Sequence, residues 1–309
     1  MRIIYYNEGE DSAFWLSGLR AALPQAEIRL WLKGDDAPAD YALVWKPPAA
    51  MLAGRTGLKA IFNLAAGVDA LLDMGDALPQ EVPVIRLEDA GMAIQVAEYV
   101  THAVLRYFRR FDEYDMQARD HEWKFLSSHN KRDFTIGIMG LGAIGSRVAH
   151  ALLHFGFPVR GWSRRRKSLA GVQCFAGDEA LDDFLQDTKV LLCMLPLTAQ
   201  TKGILNRDTI GKVAYGAYLI NLGRGTHLIE TDLLAALNSG QIAAATLDVF
   251  HDEPLLPDHP FWQMPRITVT PHMAAETFRD DTVRQITEKL LAFNRGEPVS
   301  GIVDRQQGY

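Results

Sequence analysis

The sequence predicts an α/β protein made of two doubly wound parallel sheets with a cleft between them. Between residues 1 and about 97, short apolar runs such as 41–45 and 82–87 alternate with helix-like stretches, and a second series of apolar runs begins at residue 134. Strands that alternate with helices in this way form parallel sheets. The chain of 309 residues is long enough for two domains of ordinary size.

The order of the predicted elements defines the two domains. Residues 1–97 and 275–309 are expected to form one of them, and residues 98–274 the other. A helical pattern over about 94–119 is expected to bridge the domains, and a polar segment follows it. The rest of the chain is predicted to contain strands at 134–139, 158–162, 188–195, 217–221, 244–249 and 267–271, and helices at 144–155, 231–239 and 275–296.

Composition argues against several classes of function. A formal net charge of -6 does not suit a surface built for general nucleic-acid binding. The N-terminus lacks the pattern of a signal peptide, and no apolar segment is long enough for a membrane helix, so we expect a cytoplasmic protein without membrane contact. The only cysteines, Cys174 and Cys193, suggest neither a disulfide framework nor a zinc site, and no metal is expected.

A glycine-rich turn lies between a predicted strand and a predicted helix. It reads Gly140-Leu-Gly142-Ala-Ile-Gly145 and follows the apolar run 134–139. The first glycine permits a tight turn, the second lets a pyrophosphate approach the backbone, and the third lets the helix pack close to the strand. This context predicts a dinucleotide site within residues 98–274, at Gly140, Gly142, Ala143, Ile144 and Gly145.

The end of the next predicted strand indicates which dinucleotide is preferred. Ser163 stands where an NAD-binding protein usually offers Asp or Glu to the ribose hydroxyls, and Arg164-Arg165-Arg-Lys167 follows it. A guanidinium there can pair bidentately with the 2′-phosphate of NADP. We therefore predict NADPH as the cofactor, with NADH as a weaker alternative, and Ser163, Arg164 and Arg165 as contacts. The alternatives are a solvated basic loop and a weak nucleic-acid patch.

Three further motifs follow predicted strands, where ligands of open α/β sheets bind. They are Asn221-Leu-Gly-Arg-Gly225, Leu247-Asp-Val-Phe-His-Asp-Glu-Pro-Leu255 and Thr270-Pro-His-Met-Ala274. With these residues the sequence resembles the D-isomer-specific 2-hydroxyacid dehydrogenases, and the predicted sheets are of the Rossmann or flavodoxin-like type. The segments 43–48, 86–89, 162–164 and 303–305 resemble the branch of that family that reduces glyoxylate and hydroxypyruvate.

The resemblance implies a role for particular residues. Arg224, Glu253 and His272 would be the catalytic set. Residues 1–97 and 275–309 would be the substrate-binding domain, in which backbone N–H groups of Ala66, Gly67 and Val68 bind the substrate carboxylate. Trp45 could shape the substrate pocket, although ordinary packing explains it equally well. Further cofactor contacts would come from Leu195, Pro196, Leu222, Gly223 and Asp248.

The residue types suit the chemistry of carbonyl reduction. Hydride transfer to a ketone carbon leaves negative charge on oxygen, and an imidazolium at His272 can neutralise that charge by donating a proton. Glu253 would orient the ring and favour its charged form. Arg224 would hold the 2-oxo acid and stabilise the developing alkoxide.

The expected function is NADPH-dependent reduction of glyoxylate and hydroxypyruvate, small 2-oxo acids, to glycolate and D-glycerate. One alternative is another 2-oxo acid reductase of the same family. A second is a protein that senses dinucleotides without catalysis, which the intact set of Arg224, Glu253 and His272 opposes. The resemblance also implies a homodimer.

Overall fold

A computed structural model describes residues 1–9 and 11–309. The chain divides into two compact units: Met1–Gly91 with Thr277–Tyr309, and Met92–Glu276. The strands are β1 (Arg2–Asn7), β2 (Glu27–Leu30), β3 (Tyr41–Trp45), β4 (Ala60–Asn63), β5 (Val84–Arg86), β6 (Ile136–Met139), β7 (Val159–Ser163), β8 (Val172–Ala176), β9 (Val190–Cys193), β10 (Ala217–Asn221), β11 (Ile242–Leu247) and β12 (Ile267–Val269).

Helices connect these strands. They are α1 (Ser12–Ala22), α2 (Ala49–Leu52), α3 (Asp69–Leu72), α4 (Met92–Phe108), α5 (Phe111–Arg119), α6 (Ala143–His154), α7 (Leu181–Leu185), α8 (Arg207–Lys212), α9 (Glu230–Ser239) and α10 (Arg279–Asn294). In the described part of the chain, no helix combines the length and the hydropathy needed to cross a membrane. The predicted boundary after residue 97 would divide α4, whereas the structure keeps all of α4 in the second unit.

The first unit contains a parallel sheet in the order β2-β1-β3-β4-β5. This order is that of flavodoxin-like sheets. Both faces are buried, since Ile3 and Tyr5 belong to the apolar cluster that includes α1 and α10, and Ile4 belongs to the cluster that includes α2 and α3. Burial on both faces explains why the strands read as nearly continuous apolar runs.

The second unit contains a parallel sheet in the order β12-β11-β10-β9-β6-β7-β8. The chain order reverses between β6 and β9, as in a Rossmann fold, and ligands of such sheets bind at the carboxyl ends of strands near this reversal. Helices α4 and α6 pack on one face, while α7, α8 and α9 cover the other. The predicted fold class, two parallel-sheet α/β domains, is confirmed.

The prediction of one long helix over 94–119 is wrong, because the structure has two helices there, α4 and α5. Between α4 and α5, Arg110 adopts a left-handed conformation with φ 61°. Its guanidinium pairs with both carboxylate oxygens of Glu113 at 2.6 Å and donates to the Ser127 carbonyl at 3.1 Å. Neither glycine nor proline marks the break, so the usual helix-stop signals do not reveal it.

Two smaller differences concern an edge strand of the second sheet and the first residue of the last helix. Strand β8 was not predicted, because it is an edge strand whose side chains are only partly buried and therefore lack a continuous apolar pattern. The last helix begins at Arg279 and not at residue 275, because Phe278 has an extended backbone that ends the preceding loop.

Candidate active site

One edge of the second unit's sheet carries the predicted cofactor and catalytic residues. Strand register aligns one residue from each of six neighbouring strands in a row: Trp162, Met139, Cys193, Asn221, Leu247 and Val269. Because the strands are parallel, the segments that follow this row begin at the same edge of the sheet. These segments contain the glycine turn after β6, Ser163 at the end of β7, Leu195 and Pro196 after β9, Leu222 to Arg224 after β10, Asp248 and Glu253 after β11, and His272 after β12.

The glycine turn has the geometry of a phosphate cradle. Gly140 has φ 109°, and a Cβ at Gly145 would lie 1.9 Å from the Gly140 carbonyl oxygen, so both positions require glycine. At exposed Gly142, by contrast, a Cβ would meet nothing within 4 Å. Gly142 also precedes α6 without a capping side chain, which leaves the first-turn N–H groups, beginning at Ala143 and Ile144, available to an anion. The site fits the pyrophosphate of a dinucleotide.

Ser163 shapes the basic turn that follows β7. It is buried, and its hydroxyl donates to the Arg165 carbonyl oxygen at 2.7 Å. Arg164 and Arg165 are exposed at the strand's carboxyl end. Since the hydroxyl proton of Ser163 is already used within the turn, the two guanidinium groups are the donors that suit a 2′-phosphate here.

The backbone around Arg224 is held from several directions. The Asn221 side chain accepts from the Gly223 amide at 3.2 Å and donates to the Arg224 carbonyl at 3.1 Å. The Arg224 amide donates to Nδ1 of buried His227 at 2.9 Å, so the His227 proton lies on Nε2, which is 3.3 Å from the Pro196 carbonyl. His227 therefore connects the Arg224 loop to the loop after β9, and sequence reasoning missed it.

Gly225 brings the Arg224 loop against the segment that carries Glu253. A Cβ at Gly225 would lie 1.8 Å from the Phe250 carbonyl carbon, so only glycine permits this approach. Three residues further on, Glu253 Oε1 accepts the Phe250 amide at 3.0 Å. Close backbone packing therefore places Arg224 and Glu253 near each other.

His272 and Glu253 are hydrogen-bonded at the edge of the sheet, with Nδ1 2.8 Å from Oε2. Burial alone would raise the pKa of Glu253, but hydrogen bonds from His272 and the Phe250 amide, with the charges of His272 and Arg224, lower the pKa overall. Because an ionised carboxylate only accepts hydrogen bonds, Nδ1 of His272 carries a proton and donates it. Nε2 is then the nitrogen that can give or take a proton in a reaction.

The backbone of His272 is fixed in an unusual conformation. Its φ is 51°, in the left-handed region, and its amide donates to the Asp248 carbonyl at 2.8 Å. The Asp248 carboxylate accepts the amides of Met273 and Ala274, each at 2.9 Å. Asp248, predicted as a cofactor contact, thus also holds the loop that presents His272.

A chain of hydroxyl groups extends this support. Thr270 donates to Asp248 Oδ1 at 2.6 Å, and the Tyr99 hydroxyl lies 2.6 Å from Thr270 Oγ1. Since the single Thr270 proton goes to the carboxylate, Tyr99 is the donor to Thr270. Burial, its largest influence, raises the pKa of Tyr99 to about 12. Sequence reasoning treated Tyr99 only as an apolar position of a helix.

The predicted substrate-binding residues of the first unit lie at the carboxyl end of β3 and in the loop after β4. Trp45 ends β3 and is partly buried, with the Lys46 ammonium 5.6 Å from its ring centroid. In the described part of the chain, the amides of Ala66, Gly67 and Val68 donate no hydrogen bond to another residue. These three N–H groups can therefore bind an anion such as a carboxylate.

The predicted residues thus form two groups. Arg224, Glu253 and His272 come together in the second unit with the glycine turn and Asp248, whereas Trp45 and the amides of 66–68 belong to the first unit. Within residues 1–9 and 11–309, no group of three or more His, Cys, Asp or Glu side chains could hold a metal ion. A Rossmann sheet with a phosphate cradle and a carboxylate-paired histidine is the arrangement expected of a dinucleotide-dependent oxidoreductase.

The chain belongs to the D-isomer-specific 2-hydroxyacid dehydrogenase family. The family's NAD-binding domain matches residues 101–274. A glyoxylate/hydroxypyruvate reductase A of Yersinia enterocolitica is 51% identical over 313 aligned residues, which cover 100% of both chains. The family prediction is confirmed.

Solved structures of similar proteins agree with this family. A D-isomer-specific 2-hydroxyacid dehydrogenase of Xanthobacter autotrophicus, in complex with NADPH and MES, has a TM-score of 0.94 and 40% identity, with 100% of this chain and 99% of that chain covered. An NADPH-dependent glyoxylate/hydroxypyruvate reductase of Sinorhizobium meliloti, in complex with NADP and sulfate, has a TM-score of 0.92 and 34% identity at the same coverage.

Proposed function

We propose that this protein reduces glyoxylate and hydroxypyruvate with NADPH, forming glycolate and D-glycerate. The observation that carries the proposal is the His272–Glu253 pair, 2.8 Å apart, beside Arg224 at the cofactor edge of the Rossmann sheet. The relatives named above, one of them matched over its whole length, are described as reductases of these two acids. Their names support the substrate class, and the geometry supports the reaction.

Each residue of the set has a defined task in this proposal. When bound, NADPH supplies the hydride. His272, held through Nδ1 by Glu253, donates a proton from Nε2 to the substrate oxygen. Arg224 stabilises negative charge on that oxygen, and the amides of 66–68 bind the substrate carboxylate. In the reverse reaction His272 accepts the proton.

We propose that NADPH is held by the groups at the carboxyl edge of the sheet. The cradle around Gly142 suits the pyrophosphate, because it combines open space with uncapped N–H groups. Three of the hydrogen-bonding positions on the Asp248 carboxylate are already occupied, so it can accept only one further donor well. The other proposed contacts are the residues Gly140, Ala143, Ile144, Gly145, Ser163, Arg164, Arg165, Leu195, Pro196, Leu222 and Gly223.

Neutralising Arg164 and Arg165 together should change the cofactor preference. In the double variant Arg164→Gln/Arg165→Gln, we expect the ratio of kcat/KM for NADPH to that for NADH to fall by about 10-fold or more, because charge-assisted hydrogen bonds to the 2′-phosphate are lost. Steady-state kinetics with both cofactors measures this ratio. Arg166→Gln/Lys167→Gln removes the same charge from the same exposed loop and serves as the control. An equal loss in both double variants would refute the assignment.

The lowered pKa of Glu253 predicts a pH effect. Against the opposing effect of burial, hydrogen bonds from His272 and the Phe250 amide hold the pKa of Glu253 below its ordinary value, so the carboxylate that accepts from Nδ1 of His272 is lost only in acid. We therefore expect kcat/KM for glyoxylate to fall on an acidic limb as Glu253 is protonated. Glu253→Gln keeps an acceptor oxygen but does not ionise, so it should have a lower kcat/KM and lack that limb. The measurement is kcat/KM across pH for the wild type and the variant, and the same acidic limb in both proteins would show that the limb does not come from Glu253.

A substrate panel tests the proposed function itself. Loss of NADPH or NADH absorbance is followed with glyoxylate, hydroxypyruvate, pyruvate and buffer alone at near-neutral pH. Fast NADPH-linked turnover of the first two acids is expected. Faster turnover of pyruvate would indicate another 2-oxo acid reductase, and NADPH binding without turnover of any acid would favour a dinucleotide-sensing protein.

We also propose that the protein is a homodimer in the cytoplasm. Helix α5 has no buried residue, and the segment after it exposes Trp123 fully and Phe125 almost fully. Exposed aromatic groups of this kind suit an interface with a second copy of the chain. Both cysteines are free thiols, as expected in a reducing compartment. Sedimentation equilibrium would give the mass, and a monomer at micromolar concentration would contradict the dimer.

A further inference from the structure

Asn63 is a buried polar residue at the carboxyl end of β4, directly before the loop with the anion-binding amides. The residue is 1% exposed, and Nδ2 donates to the Ala65 carbonyl at 2.8 Å and to the Gly67 carbonyl at 2.7 Å. We propose that Asn63 is a positioning residue for substrate binding, which aims the amides of Ala66 and Val68 at the carboxylate of the 2-oxo acid. This inference rests on the proposed function.

The geometry of the trans peptide bond connects Asn63 to these amides. In a trans peptide, the carbonyl of one residue and the N–H of the next point in opposite directions. The two carbonyls that point toward Asn63 belong to the peptide units whose N–H groups come from Ala66 and Val68. Both N–H groups therefore point away from Asn63, and neither donates to another residue in the described ranges.

Only an amide side chain suits this position. The two carbonyls need two donors from one buried atom, and the Asn side chain has an NH₂ group with two hydrogens. The Ala65 carbonyl has a second, longer contact with the Leu87 amide at 3.3 Å, whereas Asn63 is the donor that the structure shows for the Gly67 carbonyl. Without Asn63, rotation of the peptide between Gly67 and Val68 would turn the Val68 N–H away from its ligand.

The test compares two Asn63 variants with a matched control. Asn63→Leu keeps the size of the side chain but has no donor, and Asn63→Ser leaves room for water if leucine prevents folding. Tyr41→Phe is the control, because buried Tyr41 makes a hydrogen bond of the same unit, to Asn294 at 2.9 Å, and begins β3 at the opposite end of the strands from Asn63. Tm, kcat and KM for glyoxylate and for NADPH are measured for all proteins.

We expect both Asn63 variants to raise KM for glyoxylate by about 10-fold, with kcat and KM for NADPH close to wild type, because carboxylate binding is lost and the reaction chemistry is not. Tyr41→Phe should lower Tm without changing KM. An Asn63 variant that lowers Tm but keeps KM for glyoxylate would overturn the inference, as would a parallel rise in KM for NADPH.

Calorimetric titration with oxalate separates this inference from the proposed function. Oxalate carries a carboxylate like that of a 2-oxo acid and binds without turnover, so its affinity tests carboxylate binding whether or not the protein reduces any acid. Weaker oxalate binding in both Asn63 variants than in Tyr41→Phe would support the positioning role even if the wild type reduces no 2-oxo acid. Equal oxalate affinity in all four proteins would refute it even if glyoxylate is an excellent substrate.

Discussion

Replacement of His272 by alanine is expected to lower kcat for glyoxylate reduction by about 10²- to 10⁴-fold, the usual contribution of general acid catalysis. The side chain is the proton donor in the proposed reaction, with Nδ1 bound to Glu253 at 2.8 Å and Nε2 left to act on the substrate oxygen. Its removal leaves the glycine turn intact. The dissociation constant for NADPH, measured by fluorescence titration, should therefore stay close to the wild-type value.

A second histidine with a carboxylate partner provides the control for this experiment. His259 Nε2 lies 3.2 Å from Glu230 Oε2 in the same unit, outside the predicted catalytic set. His259→Ala removes a comparable pair and should retain most of the wild-type kcat, although Tm falls. If His272→Ala turned over glyoxylate at the rate of His259→Ala, His272 would not be the proton donor.

Arg224→Lys is expected to lower kcat/KM for glyoxylate by about 10²- to 10³-fold, although the positive charge is retained. Arginine offers a planar fork of donors to a carboxylate or a developing alkoxide, and an ammonium group cannot reproduce that geometry. The loop around Arg224 is anchored by Asn221 and His227, so a shorter reach is not easily compensated by movement of the backbone.

Arg207→Lys is the matched control for Arg224→Lys. Arg207 begins α8, and its side chain is 81% exposed, so the same substitution there should leave the kinetics unchanged. The decisive measurement is kcat/KM with glyoxylate at fixed, saturating NADPH. Wild-type efficiency in Arg224→Lys would mean that Arg224 contributes charge alone, or that it does not contact the substrate.

Local patterns were enough to locate the cofactor edge of the sheet. Gly140, Gly142 and Gly145 could be interpreted from sequence because a tight turn, a phosphate and a close helix each require glycine at a fixed spacing. Strands β6 and β10 were predicted within a few residues, since burial on both faces produces continuous apolar runs. The partly buried edge strand β8 lacks that pattern and was missed.

Contacts between distant segments were not visible in the sequence. At the break between α4 and α5, Arg110 donates to the Ser127 carbonyl in a later loop, a contact that helical spacing does not reveal. Tyr99 donates to Thr270, and His227 lies beside Pro196, across gaps that no periodicity spans. Asn63 acts within four residues of its own position, yet its role depends on where the chain turns after β4.

The sequence by itself determined the family, the two parallel sheets and the identity of the predicted catalytic residues. The reason is that each short motif places identifiable side chains directly after a predicted strand. Only the tertiary structure decided how the loops that present those side chains are held: the His272 loop by Asp248, and the Arg224 loop by Asn221 and His227. The physical reason is that hydrogen bonds depend on distance and direction in space, and parallel strands bring together residues that are far apart along the chain.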